Sequence, residues 1–128
     1  MPIDQTRADA LIHEIASLIV NDPEFASRDW DGLAIVGIVG DSSSRVGGYS
    51  YDAAGESEAG APQNRAIHKL LKELRAVMTE TGKEPWKTCL FKIKKPDFKF
   101  SVDFEYQDAM RWKVSPANVE VLVAQMRP

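Results

Sequence analysis

Residues 98–106 alternate between apolar and polar side chains, and this pattern limits the folds open to the chain. The apolar positions on one face of an extended strand are Phe98, Phe100, Val102, Phe104 and Tyr106. The polar positions on the other face are Lys99, Ser101, Asp103 and Glu105. Such alternation is typical of an antiparallel sheet with one packed and one solvated face. The pattern therefore predicts a sheet with one side available to water or to a partner.

A first hairpin is predicted in the N-terminal half of the chain. Leu33–Val39 (LAIVGIV) is apolar on both faces, which is typical of an interior strand covered on part of each side. The turn-rich residues 41–48 (DSSSRVGG) lead to a second strand centred on Tyr49–Tyr51. Residues 52–60 carry three acids, no base and two glycines, so they predict a polar loop.

The strand at 98–106 is predicted to pair with the segment before it. Trp86–Lys94 (WKTCLFKIK) reads as a strand, and the turn-forming triplet Lys95-Pro96-Asp97 joins the two. We expect Cys89 to share a face with Phe91 and Ile93 and to be buried.

Three helices are predicted from apolar stripes at helical spacing. The first covers residues 4–21 and is stopped by Asn21-Asp22-Pro23. The second runs from Pro62 to Thr81, with Gly82 in the position of a left-handed cap. The third starts at Ser115-Pro116, where serine followed by proline is typical of a helix start.

These elements predict an α+β fold with the order α-β-β-α-β-β-α. The simplest packing is a four-stranded antiparallel sheet with all helices on one face, in a single domain over residues 1–128. The net charge of −3 gives no global field that would attract nucleic acid, and a single cysteine cannot form an internal disulfide. The sequence contains no predicted signal peptide or membrane span, so we expect a cytoplasmic protein.

The sequence shows no recognised catalytic or metal-binding pattern. His13 and His68 lack the companion ligands that a zinc site needs, and Cys89 lacks an adjacent base. The glycines near residue 40 match no phosphate-binding loop, and Asp103 with Glu105 reads as part of a solvated face. We therefore predict no enzyme activity, no cofactor and no metal. A hydrolase or transferase with an unrecognised site is the third hypothesis.

Two charged regions suggest different partners. One is lysine-rich and spans residues 87–99, where five lysines face one acid with Phe91 and Phe98 between them. Basic hairpins with aromatic residues can bind single-stranded nucleic acid, and a small nucleic-acid-binding module is the alternative hypothesis. Both rings, however, are predicted to lie in the core, and lysines also protect sheet edges from unwanted pairing.

The other region is acidic and combines carboxylates with aromatic residues, as protein interfaces often do. The predicted partner-binding residues are Tyr49, Tyr51, Asp52, Glu56, Glu58, Asp103, Glu105 and Asp108. Trp112 is a further candidate aromatic anchor.

Several segments resemble the YezG-type immunity proteins of bacterial polymorphic toxin systems. One is the helix end followed by Thr81-Gly-Lys-Glu-Pro-Trp86. The strand after it matches the family pattern at Lys99, Phe100, Asp103, Phe104, Tyr106 and Asp108. Trp30, Tyr49 and Tyr51 correspond loosely to an early Trp and a Tyr-rich hairpin in the family. The resemblance covers residues 74–112 well and residues 1–60 weakly.

This resemblance implies a noncatalytic antitoxin that binds the toxic C-terminal domain of a secreted or contact-delivered effector, as in contact-dependent growth inhibition. Such toxins are often nucleases, so the implied partner is a basic protein domain. It implies no membrane partner and no direct contact with nucleic acid, and it carries over no catalytic residues.

Overall fold

A five-stranded antiparallel sheet with helices on both faces forms the framework of the computed structural model, which describes residues 4–79 and 83–128. The elements are α1 (Gln5–Val20), α2 (Pro23–Ala26), β1 (Gly32–Val39), β2 (Ser44–Tyr51), β3 (Ser57–Gly60), α3 (Ala66–Met78), β4 (Thr88–Lys94), β5 (Lys99–Glu105) and α4 (Val119–Met126). The strand order is β3-β2-β1-β4-β5. The α+β class and both predicted hairpins are confirmed, whereas the strand number and the placement of the helices are not.

The extra strand is β3, which lies within the segment predicted to be a polar loop. It pairs antiparallel with β2, from Gly60 opposite Gly48 to Ser57 opposite Tyr51. An edge strand needs only the backbone donors and acceptors of its neighbour, and its polar side chains can remain in water. This is why β3 carries no apolar alternation that could identify it.

On the first face of the sheet, α1 and α3 cover a large apolar core. The helix residues buried there include Leu11, Ile15, Ile19, Ile67, Leu71 and Leu74, and the strand residues include Leu33, Ile35, Phe91 and Ile93. The predicted apolar stripes of both helices are therefore the buried ones. Cys89 is also buried here, as predicted, and its burial raises the pKa of the thiol to about 12.

The apolar stripe of β5 packs on this core only in its middle. Phe100, Val102 and Phe104 are partly buried against the core. Phe98 and Tyr106 lie outside the ends of the strand and are 46% and 44% exposed. The prediction that these two rings belong to the core was wrong because they extend past the paired residues of the hairpin.

On the second face, α4 covers a smaller core, so the prediction that all helices share one face was wrong. Alternate residues of one strand point to opposite sides, and β1 is buried at nearly every position. The second core contains Ala34, Val36, Tyr51, Leu90, Trp112, Leu122, Val123 and Met126. The apolar residues of β1 that point away from α1 and α3 are thus covered by the segment that follows β5.

Several predicted helix ends are shifted by local hydrogen bonding. Pro23 ends α1 as expected, but it also begins α2, which Asp22 caps by accepting the N–H of Glu24. α4 begins at Val119, because the residues after Ser115 form a turn in which Asn118 accepts the Ser115 N–H. The predicted cap at Gly82 lies outside the described residues. No helix in the described ranges is long and apolar enough to cross a membrane.

Candidate partner-binding surface

The predicted partner-binding residues lie at two opposite edges of the sheet. Tyr49 and Tyr51 belong to β2, and Asp52, Glu56 and Glu58 follow in the turn to β3 and in β3 itself. Asp103, Glu105 and Asp108 belong to β5 and the turn after it. Three strand spacings separate β2 from β5, which is roughly 14 Å. The eight residues therefore form two groups and not one continuous patch.

The group at β5 is called the acidic edge and consists of Asp103, Glu105 and Asp108. Asp103 is exposed and stands opposite Leu90, on the second face. Glu105 is held in the turn: its carboxylate accepts the backbone N–H groups of Gln107 and Asp108 at 2.9 and 3.3 Å.

The charge of Glu105 is favoured by its contacts. The backbone N–H groups of Gln107 and Asp108 and the guanidinium of Arg111, 3.0 Å away, lower the pKa of this carboxyl. Asp108 in turn accepts the Met110 N–H at 2.9 Å. Glu105 and Asp108 thus shape the turn, whereas the carboxylate of Asp103 makes no such hydrogen bond within residues 4–79 and 83–128.

The group at β2 and β3 is less uniform. Tyr51 is 2% exposed, and its hydroxyl donates to the Val123 carbonyl at 2.7 Å. It therefore anchors α4 and does not present its ring to a partner. Asp52 accepts the Glu56 N–H and closes the turn, in which Glu56 is exposed. Glu58 is directed to Arg28 instead, with its Oε2 3.0 Å from Nε of that residue.

The phenol of Tyr51 predicts a loss of stability at alkaline pH. Burial, with a smaller effect from Tyr49, raises its pKa from 10.0 to about 12. The folded state therefore disfavours ionisation of this phenol. The free energy of unfolding is unaffected by it below pH 10 and falls by up to about 3 kcal/mol as pH rises from 10 through 12. We expect Tyr51→Phe to be about 1 kcal/mol less stable than wild type at pH 8, because it lacks one hydrogen bond.

At pH 11 that difference in unfolding free energy should shrink or change sign, as measured by urea unfolding of both proteins. The buried thiol of Cys89 titrates in both and so cancels from the comparison. A difference that stays constant from pH 8 to pH 11 would contradict this role of Tyr51.

The lysine-rich hairpin divides into separate sites. Lys94 and Lys99 stand directly opposite each other on the second face, where they line a shallow pocket of about 270 Å³ with Lys92 and Arg127. Lys95 instead lies over the ring of Trp30, with Nζ 4.1 Å from the ring centroid. Phe91 is buried in the first core, and Phe98 contacts Trp30 edge to face.

A groove lies on the second face, and the sequence analysis did not predict it. This second-face groove has a volume of about 490 Å³ and is mostly apolar. Its lining includes Val36, Ile38, Arg45, Gly47, Tyr49, Trp112, Lys113, Val114 and Met126. The two adjacent glycines at 47 and 48 were assigned to the turn before the second strand, but they lie within β2. A glycine inside a strand often marks a site where another chain can approach closely, and this was the available sequence signal. Trp112, predicted as a candidate aromatic anchor for a partner, is buried and lines the groove.

The histidines are engaged in local contacts. His13 packs edge to face on Phe100 at 5.1 Å, and Nδ1 of His68 lies 2.7 Å from the Ser44 hydroxyl. The described part of the chain contains no cluster of three or more His, Cys, Asp or Glu side chains placed to hold a metal.

Comparison with known protein families gives a match. A family model described as "Immunity protein YezG-like" matches residues 56–123, which is more than half of the chain. The matched range includes β3, α3, β4, β5 and part of α4, and so contains the acidic edge and Trp112. No curated protein matches the chain.

Proposed function

Because this chain belongs to the YezG-like immunity protein family, we propose that it neutralises a cognate bacterial toxin domain by stoichiometric binding, without chemistry of its own. The family match over residues 56–123 carries the proposal, since immunity proteins act by binding a toxin. The proposed partner is the C-terminal domain of a polymorphic or contact-delivered toxin, and the proposed place of action is the cytoplasm.

The acidic edge supports a nuclease as the toxin. A nuclease must attract phosphate groups and so tends to carry a basic surface, which exposed carboxylates would attract in turn. Tyr106 and Met110, within two residues of Glu105 and Asp108 in the sequence, are 44% and 55% exposed and supply apolar contact area. We propose that Asp103, Glu105 and Asp108 contact the toxin directly. Asp52 and Glu56, in the turn at the opposite edge of the sheet, are proposed as further contacts.

Co-expression tests this function. Cells that produce the toxin domain encoded beside this protein should stop growing, and production of this protein should restore growth. The purified pair should form a complex of fixed stoichiometry. Cells that die equally fast with and without this protein would overturn the proposal.

Charge reversal tests the surface. We expect Asp103→Lys to slow association with the toxin domain about tenfold at low salt, because a rim charge that steers a partner acts mainly on the association rate. The matched control is Glu14→Lys on α1, an exposed residue on the first face, which changes the net charge equally. Stopped-flow measurements should show the slow rate only in the first variant, with folding stability unchanged in both. Equal rates in the two variants would exclude the acidic edge as the steering surface.

The alternative function is binding of single-stranded nucleic acid through Lys92, Lys94 and Lys99. The pairing of two lysines directly across β4 and β5 supports it, since like charges in that position destabilise a sheet unless an anion is nearby. The burial of Phe91 removes one of the two rings that would stack on bases. Salt-sensitive binding of an oligonucleotide by the isolated protein would favour this alternative.

A further inference from the structure

The outer edge of β2 is only partly covered. β3 pairs with β2 from Gly48 to Tyr51, so the first half of β2, Ser44–Gly47, forms the outer edge of the sheet there. The Asp52 N–H donates to the Glu56 carbonyl, in register with this ladder. In an antiparallel ladder, the backbone N–H and C=O groups of every second residue point to the same neighbouring strand. Asp52, Ser50 and Gly48 therefore point toward β3, and Val46 points in the same direction beyond the end of β3.

The second-face groove lies along this same edge. Arg45 and Gly47 line the groove from the half of β2 that β3 does not pair with, and Trp112 and Val114 line it from the segment before α4. Residues 59–61 line it beside Gly47, so the edge of β2 is open from Val46 toward Ser44. Gly47 has no side chain to fill the space. A strand added to β2 would therefore direct every second side chain into an apolar groove.

The charges of the groove limit what it can receive. Its lining includes two cations, Arg45 and Lys113, and no acidic residue among the described residues. Both cations are exposed. An apolar side chain with a neighbouring Asp or Glu would satisfy the groove and its cations together.

We propose that this groove receives an extended segment of the toxin domain, which pairs with β2 at Val46 and carries an apolar side chain flanked by a carboxylate. The inference rests on the proposed function. It adds a second contact surface, which is cationic, to the acidic edge already proposed to bind the toxin. The acidic edge lies at the β5 edge of the sheet and the cationic groove at the β2 edge, so a toxin with the matching pattern binds in one orientation.

Filling the groove tests the proposal. A Cβ atom at Gly47 would lie 3.6 Å from the Gly60 carbonyl oxygen and 3.7 Å from Ala61 Cβ, which are ordinary contacts. Gly47→Leu should therefore fold and occupy the groove with its side chain, while Gly47→Ala leaves most of the groove open. By calorimetry with the toxin domain, we expect the leucine variant to bind at least about tenfold more weakly and the alanine variant to bind within about threefold of wild type.

Hydrogen exchange supplies an independent readout. Binding of the toxin domain to the wild-type protein should slow exchange of the Val46 amide, since that N–H becomes a donor to the added strand. Full-strength binding by Gly47→Leu, with exchange at Ser44–Gly47 unchanged, would overturn this inference and leave neutralisation intact. The inference would also be overturned if the free protein self-associates and Gly47→Leu abolishes that self-association, because the groove would then bind a second copy of this chain. Absence of any toxin binding by wild type would instead overturn the proposed function on which it rests.

Discussion

Replacing Gly48 with alanine is expected to prevent β1 and β2 from pairing in their present register. A Cβ atom at this position would lie 1.9 Å from the carbonyl oxygen of Ala34 and 2.9 Å from its carbonyl carbon. Both are backbone atoms of the neighbouring strand, which cannot rotate away as a side chain can. One of the two central strands must move, and we expect a loss of more than about 3 kcal/mol of unfolding free energy.

The adjacent glycine provides a matched control for this prediction. Gly47→Ala adds the same methyl group one residue earlier, where the nearest atom, the Gly60 carbonyl oxygen, would be 3.6 Å away. Urea unfolding should give a midpoint near the wild-type value for Gly47→Ala and a much lower one for Gly48→Ala. If Gly48→Ala does not fold, circular dichroism will show the loss directly. Equal midpoints for the two variants would contradict the close approach of the strands.

Asp22→Ala should cause the second large loss of stability. The carboxylate of Asp22 is 2% exposed and accepts three backbone N–H groups, those of Glu24, Gln63 and Asn64, at 2.9 to 3.0 Å. It thereby caps α2 and ties the start of that helix to the segment that leads into α3. Removal leaves three donors without this acceptor, and we expect a loss of about 3 to 5 kcal/mol.

The conservative variant separates these hydrogen bonds from simple packing. Asp22→Asn retains one side-chain oxygen, which can still accept from Glu24 and Gln63 as Oδ1 does, but its amide group cannot accept from Asn64. Its loss should therefore be clearly smaller than that of Asp22→Ala in thermal and urea unfolding. Similar losses for both variants would show that the three hydrogen bonds do not account for the effect.

The elements predicted correctly are those whose side chains repeat with a clear period. The stripe of α3 and the alternation of β5 each report which residues face the core, because burial selects side chains along one face. The strand β3 could not be predicted in this way. Its residues Ser57–Gly60 are polar or small, and backbone pairing with β2 holds it in place.

The position of α4 could not be predicted from its own apolar residues. A stripe such as that of Leu122, Val123 and Met126 shows that a helix is covered but not which side of the sheet covers it. The uniform burial of β1 was the relevant signal, since a strand that is apolar on both faces needs cover on both. Placing every helix on one face left Ala34 and Val36 without neighbours.

The candidate surface was predictable only in part. Exposed carboxylates such as Asp103 follow from the strand alternation. The roles of Tyr51 and Trp112 depend on where α4 packs, so they could not be deduced before that helix was placed. The second-face groove has no apolar motif of its own, and it is open next to Gly47 because that residue has no side chain.

The second core has a consequence for biosynthesis. Half of it comes from residues 112–126, which the ribosome produces after every strand of the sheet. Until then, Ala34, Val36 and Leu90 form an uncovered apolar face on the newly made sheet. Chaperones that bind such surfaces can act on the nascent chain during this interval, and premature termination before Trp112 would yield an aggregation-prone product.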